Sequence, residues 1–116
     1  MPPLDPNAID ALRALNPGDD SFLRDLIQIF LADAPARLAE LEEGLAQADA
    51  RRVTRAAHTL KGSSANFGAS GLQAVSEKIE LLGRQGTLAE VPPLLVALKV
   101  EFAAVRTALE ALLPPA

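Results

Sequence analysis

Apolar side chains recur along most of this chain at intervals of three and four residues, the spacing that places them on one face of an α-helix. A short N-terminal stretch carries Ile9 and Leu12 at this spacing, and four longer stretches follow it. The apolar positions of the longer stretches are Phe22, Leu23, Leu26, Ile27, Phe30, Leu38, Leu41, Leu45 and Ala48, then Val53, Ala56, Ala57, Leu60 and Phe67, then Leu72, Val75, Ile79 and Leu82, and finally Leu95, Leu98, Phe102, Val105, Leu109 and Leu112. No stretch alternates between apolar and polar side chains, the pattern of a half-buried strand. The pattern therefore predicts an all-α protein.

Residues that favour the start of a helix precede each stretch. Asp5 before Pro6 predicts the start of a short first helix, which runs to about Leu15. The next helices are expected to begin at N-caps formed by Asp19 or Asp20, by Asp49 and by Ser70. Thr87 and Glu90 have the spacing of a capping box ahead of the last helix.

Glycine and proline mark where the helices are expected to stop. The stop signals are Asn16-Pro17-Gly18, Gly68 after a helix that runs to about Phe67, Gly86, and Pro114-Pro115. Pro92-Pro93 leaves the first residue of the last helix open, and Pro35 is expected to kink or divide the second helix. Four long helices joined by short loops predict an antiparallel four-helix bundle with a short N-terminal helix, as a single domain over residues 1–116.

Composition narrows the possible functions. The chain of 116 residues has a net charge of −4, which argues against nucleic-acid binding because that function needs a basic surface. It has no cysteine and one histidine, so disulfides, thiolate metal sites and multi-histidine metal sites built from one chain are excluded. We find no signal peptide and no run of about 18 apolar residues. We therefore expect a cytoplasmic protein that binds neither nucleic acid nor a membrane.

The single histidine lies on the polar side of its helix. The apolar residues of the helix that begins at Asp49 define one narrow face, and His58 points about 150° away from the centre of that face. His58 is therefore predicted to face solvent. Its expected neighbours on this outer face are Arg51, Thr54, Arg55, Lys61, Gly62 and Ala65.

An exposed histidine is usually only a solvated residue, and a run of cations is usually a solvated face. Gly62 is harder to explain in this way, because a glycine within a helix costs about 0.5–1 kcal/mol relative to alanine. It follows His58 by one helical turn on the side away from the core, where packing between helices does not require a small residue. The close approach of another molecule to His58 explains it.

Acceptance of a phosphoryl group is the chemistry that fits these residues. A neutral imidazole nitrogen is a nucleophile near pH 7, and Lys61 and Arg55 supply positive charge for the group being transferred. The chain has no GxxxxGK[ST] loop for nucleotide phosphates, so we expect no ATP-dependent kinase activity of its own. A hydrolase with Ser63 or Ser64 as the nucleophile is less well supported. Ser64 lies on the core face, and both hydroxyls can bond to their own helix.

The stretch from Ala57 to Ala69, AHTLKGSSANFGA, closely resembles the signature of histidine-containing phosphotransfer (HPt) domains. These domains carry phosphoryl groups between receiver domains in multistep two-component phosphorelays. The histidine, the Lys-Gly pair, the serines and the Gly-Ala turn of the signature are all present. The segments Ile29–Pro35 and Leu38–Leu41 are similar to the preceding helix of the family. The resemblance covers most of the chain and implies a mostly helical domain with a four-helix bundle.

The resemblance implies roles for individual residues. His58 would be phosphorylated, Lys61 would be the cation that favours the phosphoryl group, and Gly62 would be the gap through which the partner reaches the imidazole. Arg55 and Ala65, on the same outer face, are the other expected partner contacts. The partner would be a receiver domain of a response regulator or hybrid histidine kinase. That partner would supply the aspartate and the divalent metal, so we expect this chain to bind no cofactor and to be a monomer.

Two alternatives remain at this point. The phosphoacceptor domain of chemotaxis-type histidine kinases has the same bundle and a similar histidine, although Gly62-Ser63-Ser64 looks more like the relay type. The second alternative is a non-catalytic helical adaptor in which His58 has no chemical role. Labelling by a phosphorylated receiver separates the adaptor from both phosphoacceptors.

Overall fold

The computed structural model describes residues 2–114, which form five α-helices and no strand. The helices are α1 (Pro6–Ala14), α2 (Ser21–Ala46), α3 (Ala50–Ala65), α4 (Ser70–Gln85) and α5 (Val91–Glu110), with a 3₁₀ turn over Leu88–Glu90 before α5. Helix α3 packs between α2 and α4, and α5 packs between α4 and α2. The short connections make successive helices antiparallel. The predicted all-α four-helix bundle with a short N-terminal helix is confirmed.

The core lies between the inner faces of the four long helices. Three aromatic rings meet there, with Phe30 at 5.4 Å from Phe67 and at 6.0 Å from Phe102 between ring centroids. The other buried apolar residues of the four long helices are Leu23, Ile27, Ala34, Leu41, Val53, Ala56, Ala57, Leu60, Leu72, Ile79, Val91, Leu98, Val105 and Leu109. Helix α1 adds Ile9 to this core, and the Asp5 N–H donates to the Phe67 carbonyl, which anchors α1 at the end of the bundle where α3 turns into α4.

Several predicted helix ends are confirmed. Asp5 Oδ1 accepts a hydrogen bond from the Asn7 N–H, and Asp49 Oδ1 accepts one from the Arg52 N–H. Gly68 and Gly86 adopt left-handed φ angles of +63° and +73°, which glycine reaches without a steric penalty. Helix α3 ends at Ala65, close to the expected position.

The predicted N-caps of α4 and α5 are wrong. Ser70 is the first residue of α4, because the Ala69 carbonyl already accepts the first helical hydrogen bond, from the Gln73 N–H. Thr87 makes no capping hydrogen bond, since the 3₁₀ turn separates it from α5. Helix α5 begins at Val91 and places its two prolines in the first turn, where their missing N–H groups are not needed.

Helix α2 is not divided at Pro35. It runs without interruption from Ser21 to Ala46, with Pro35 on its exposed side. Ala34 and Leu41 pack in the core on either side of the proline, and this burial holds the two halves of the helix together. At the start of α2, Asp19 Oδ1 accepts a hydrogen bond from the Ser21 N–H, whereas the Asp20 side chain makes no such bond. Over residues 2–114, no helix is long and apolar enough to cross a membrane.

Candidate functional site

His58 lies near the middle of α3 and points away from the core, as its position on the helical wheel predicts. Its side chain is 62% exposed. One turn later, Gly62 has no atom within 4 Å of the position that a Cβ would occupy. The imidazole therefore stands beside open space on the outer surface of the bundle.

A buried carboxylate on α4 holds one side of the imidazole. Glu80 Oε2 lies 2.8 Å from His58 Nδ1, although only 3% of the Glu80 side chain is exposed. The same carboxylate pairs with two cations, with Lys61 Nζ 2.6 Å from Oε1 and Arg84 Nη2 2.6 Å from Oε2. Glu80 thus connects His58 on α3 with charged groups from both helices.

The charge of Glu80 decides which nitrogen of His58 is available. Burial raises the pKa of Glu80, but its contacts with Lys61, His58 and Arg84 outweigh that effect and leave the pKa below its usual value of 4.5. Glu80 is therefore ionised at neutral pH and can only accept hydrogen bonds. His58 Nδ1 must then carry the proton that bonds to Glu80. In the neutral ring, this leaves the lone pair on Nε2, which is directed away from Glu80.

The close packing of α3 against α4 makes this contact possible. Gly83 lies one turn from Glu80 on the buried side of α4, and a Cβ there would collide with the Thr54 hydroxyl on α3. That Cβ would also lie 3.2 Å from Thr54 Cα and backbone nitrogen, so a side chain at Gly83 would push the two helices apart. The Thr54 hydroxyl donates to the Ala50 carbonyl 2.7 Å away. The absence of a side chain at Gly83 therefore sets the distance that Glu80 must span to His58.

The other predicted site residues are distributed around the imidazole. Arg55 is exposed and lines the same open groove as His58, Glu80 and Arg84. Ala65 is exposed two turns after His58 and adds almost no bulk to the outer face of α3. Lys61 was expected on the outer face beside His58. Its side chain is only 27% exposed, and its ammonium group is turned toward Glu80.

The two serines after Gly62 are occupied by their own helix. The Ser63 hydroxyl donates to the Thr59 carbonyl at 2.8 Å, and the Ser64 hydroxyl donates to the Leu60 carbonyl at 2.7 Å. Among the hydrogen bonds of residues 2–114, His58 pairs with Glu80 and with neither serine. His58 therefore does not activate Ser63 or Ser64, as the alternative of a serine hydrolase would require.

Glu80 and Arg84 are the two site residues that the sequence analysis missed. Glu80 follows Ile79 of the predicted apolar stripe but lies off that stripe, and the structure buries it together with Gly83. A carboxylate in such a position needs a charged or polar partner. Its partners His58 and Lys61 belong to another helix, 22 residues away in the case of His58, so spacing alone does not identify them.

The chain is similar to known phosphotransfer proteins. Residues 25–113 match the model of the Hpt domain family. The crystal structure of histidine-containing phosphotransfer protein B (HptB) from Pseudomonas aeruginosa PAO1 superposes with a TM-score of 0.88 at 31% identity, over 96% of this chain and 94% of that one. The HPT domain of a sensor hybrid histidine kinase from Shewanella has a TM-score of 0.73 at 19% identity, over 90% of each chain, which shows the shared fold. No curated protein matches the sequence significantly.

Proposed function

This chain belongs to the Hpt domain family, and we propose that it accepts a phosphoryl group on His58 from the aspartate of one receiver domain and passes it to another. Membership of the family gives the chain a phosphotransfer role in phosphorelays. The observation that carries the assignment to His58 is its contact with Glu80. An exposed imidazole whose Nδ1 is held by a buried carboxylate presents its other nitrogen to a docking partner.

The transfer uses Nε2 of the neutral ring as the nucleophile. Its lone pair forms a bond to phosphorus while the bond from phosphorus to the aspartate oxygen breaks, and the electron pair of that bond returns to the carboxylate. The ring gains positive charge and keeps its proton on Nδ1. Glu80, which already accepts a hydrogen bond from this proton at 2.8 Å, stabilises the positive charge. The reverse sequence of steps delivers the group to the next aspartate.

Lys61 supplies positive charge for the phosphoryl group. Its ammonium is paired with Glu80 Oε1 at 2.6 Å, and its side chain is 27% exposed. The ammonium stands at the end of a flexible stem, so it can turn toward a second anion at Nε2. Arg55 lies in the same groove one turn before His58 and adds to the positive field there.

The partner completes the reaction centre. We propose that the receiver domain supplies the aspartate and the divalent metal, and that this chain acts as a monomer without a cofactor or ATP-dependent kinase activity. Gly62 and Ala65 support the docking of a folded partner, because neither places a bulky side chain on the outer face of α3 beyond His58. A folded receiver can then bring its aspartate to the imidazole without displacing a side chain.

Phosphorylation by a small donor tests the choice of nitrogen. The chain is incubated with phosphoramidate, and the ring of His58 is followed by nitrogen-15 NMR. We expect the phosphorus on Nε2 and the proton on Nδ1. Phosphorylation at Nδ1, or stoichiometric labelling of another residue in place of His58, would contradict the proposed site. A parallel incubation with ATP and magnesium is expected to leave the chain unlabelled.

A further inference from the structure

A second groove lies on the other side of Glu80 and contains an exposed apolar side chain. Its lining residues are Lys61, Glu77, Lys78, Glu80, Leu81 and Arg84. Leu81 is 54% exposed, and among the exposed large apolar side chains of the described residues it is the one that lines this groove beside Glu80. Its position on α4 is opposite the buried residues of that helix, so it has no role in the core.

The second groove continues the site at His58. Glu80 and Arg84 line both grooves, and Lys61 reaches Glu80 from the side of Leu81. A partner that covers His58 and extends across α4 therefore meets Leu81 next.

The charges around the two grooves are mostly positive. Five cations line them, namely Arg51, Arg55, Lys61, Lys78 and Arg84, against the carboxylates Glu77 and Glu80. Glu80 is buried and paired with Lys61 and Arg84, which leaves Arg51, Arg55 and Lys78 against the exposed Glu77. This excess of positive charge occurs in a chain whose net charge is −4. It fits a partner whose contact surface is acidic.

We propose that Leu81 is the apolar anchor of the receiver-docking surface and that Lys78 and Arg84 beside it select a receiver with acidic groups around an apolar patch. The proposal rests on the function proposed above and adds α4 to a contact surface otherwise centred on α3. An exposed apolar side chain surrounded by charged groups matches the apolar centre and polar rim of an interface, because docking removes the apolar surface from water while the charges orient the partner.

The test compares two exposed apolar residues. A panel of purified receiver domains is phosphorylated with acetyl phosphate and magnesium, and the receiver that transfers fastest to the wild-type chain becomes the probe. Leu81→Asp is expected to lower kcat/KM for transfer from this receiver by about tenfold or more. The matched control is Val100→Asp on α5, where the valine is 66% exposed and lies on another helix. The control is expected to change kcat/KM less than twofold.

A second pair of variants tests whether positive charge near Leu81 contributes to docking. Lys78→Gln and Lys99→Gln each remove one positive charge, but Lys99 lies on α5 and is paired with Glu42 at 3.0 Å. We expect Lys78→Gln alone to slow transfer at low salt, with a smaller difference from wild type as the ionic strength rises. Equal effects of the two substitutions would show that only total charge matters, and would overturn the selective role of Lys78.

Labelling by phosphoramidate separates this proposal from the function on which it rests. If His58 of Leu81→Asp is labelled at the wild-type rate and transfer from the receiver is slowed, the docking role is supported. If transfer from the receiver is unchanged, Leu81 is not an anchor, although His58 can still be the acceptor. If Leu81→Asp instead dissociates a dimer seen by sedimentation, with receiver transfer unchanged, the surface serves self-association. If no receiver labels the wild-type chain, the proposed function itself fails, and the docking role fails with it.

Discussion

The pair of helices that carries the site and the pair on the opposite side of the bundle are packed by different means. Helices α2 and α5 are separated by the rings of Phe30 and Phe102, whose centroids lie 6.0 Å apart. Helices α3 and α4 meet through Gly83 and Thr54, with the charged Glu80 buried nearby. Large apolar side chains fill the space between α2 and α5. Helices α3 and α4 instead approach closely because Gly83 has no side chain. We infer that α2–α5 packing mainly stabilises the fold, whereas α3–α4 packing sets the geometry of the site.

The largest expected effect is on stability alone. Phe102 is 6% exposed, and Phe102→Ala is expected to lower the free energy of unfolding by about 3–5 kcal/mol through lost burial and the cavity that remains. The rate of phosphotransfer per folded molecule should stay near that of the wild type, because Phe102 is on α5 and packs against Phe30, whereas the polar contact of His58 is with Glu80 on α4. Urea unfolding and single-turnover transfer measure the two quantities. If Phe102→Ala is fully folded but transfers phosphoryl groups slowly, the packing of α2 against α5 also affects the site at His58.

On the outer face of α3, bulk should affect transfer rather than stability. Gly62→Gln places a side chain one turn from His58, and a displacement of the reacting groups by about 1 Å can slow transfer about a hundredfold. Glutamine is also the better helix former, so the free energy of unfolding should not fall. Labelling by phosphoramidate, which needs less room than a receiver, should be affected less. Equal losses with both donors would mean that the space at Gly62 does not serve docking.

The same substitution should have opposite effects at two glycines. In Gly83→Ala the new Cβ meets Thr54, so we expect the free energy of unfolding to fall by about 1–3 kcal/mol and transfer to slow as Glu80 moves away from His58. In Gly62→Ala the Cβ meets nothing within 4 Å, and the better helix propensity of alanine should raise stability by about 0.5–1 kcal/mol. Thermal unfolding of both variants measures the contrast. Equal changes in stability would contradict the assigned packing.

An effect of similar size depends on pH. The pKa of Glu80 is lower in the folded protein than its unfolded value of 4.5, so its ionised form stabilises the fold above that pH. This contribution is lost as the pH falls below 4.5 through the folded pKa. We expect Glu80→Gln to unfold more easily than wild type by about 1 kcal/mol at pH 7, and the difference to shrink in acid. Urea titrations at several pH values test this, and a difference that grows in acid would contradict it.

Helix faces could be predicted from the sequence, whereas contacts between helices could not. The apolar spacing of α3 indicates that His58 faces outward, and Asp5 and Asp49 cap their helices because a carboxylate at that position reaches nearby backbone N–H groups. Ser70 and Thr87 have suitable side chains, but the turns before α4 and α5 place Ala69 and Glu90 at the N-cap positions.

The partners of Glu80 depend on how α4 is rotated against α3. Leu72, Val75, Ile79 and Leu82 predict a buried face centred on the aliphatic residues, yet Val75 and Leu82 are only partly buried and Gly83 is fully packed. Because Gly83 has no side chain, that side of α4 can approach α3 closely, and in this orientation Glu80 faces inward. Such a rotation follows from the fit of two surfaces and is not encoded in the spacing along either helix.

Transfer from a phosphorylated receiver to His58 is the most direct measurement of the central claim. A receiver labelled on its aspartate is mixed with the wild-type chain or with His58→Gln, and the label on each chain is followed with time. We predict rapid labelling of the wild type in a form that is labile in acid and stable in base, and no labelling of a folded His58→Gln. Although His58 is exposed, its replacement removes a hydrogen bond to the buried Glu80, so the free energy of unfolding should fall by about 0.5–1.5 kcal/mol. Label on the His58→Gln chain would contradict the claim that His58 carries the phosphoryl group.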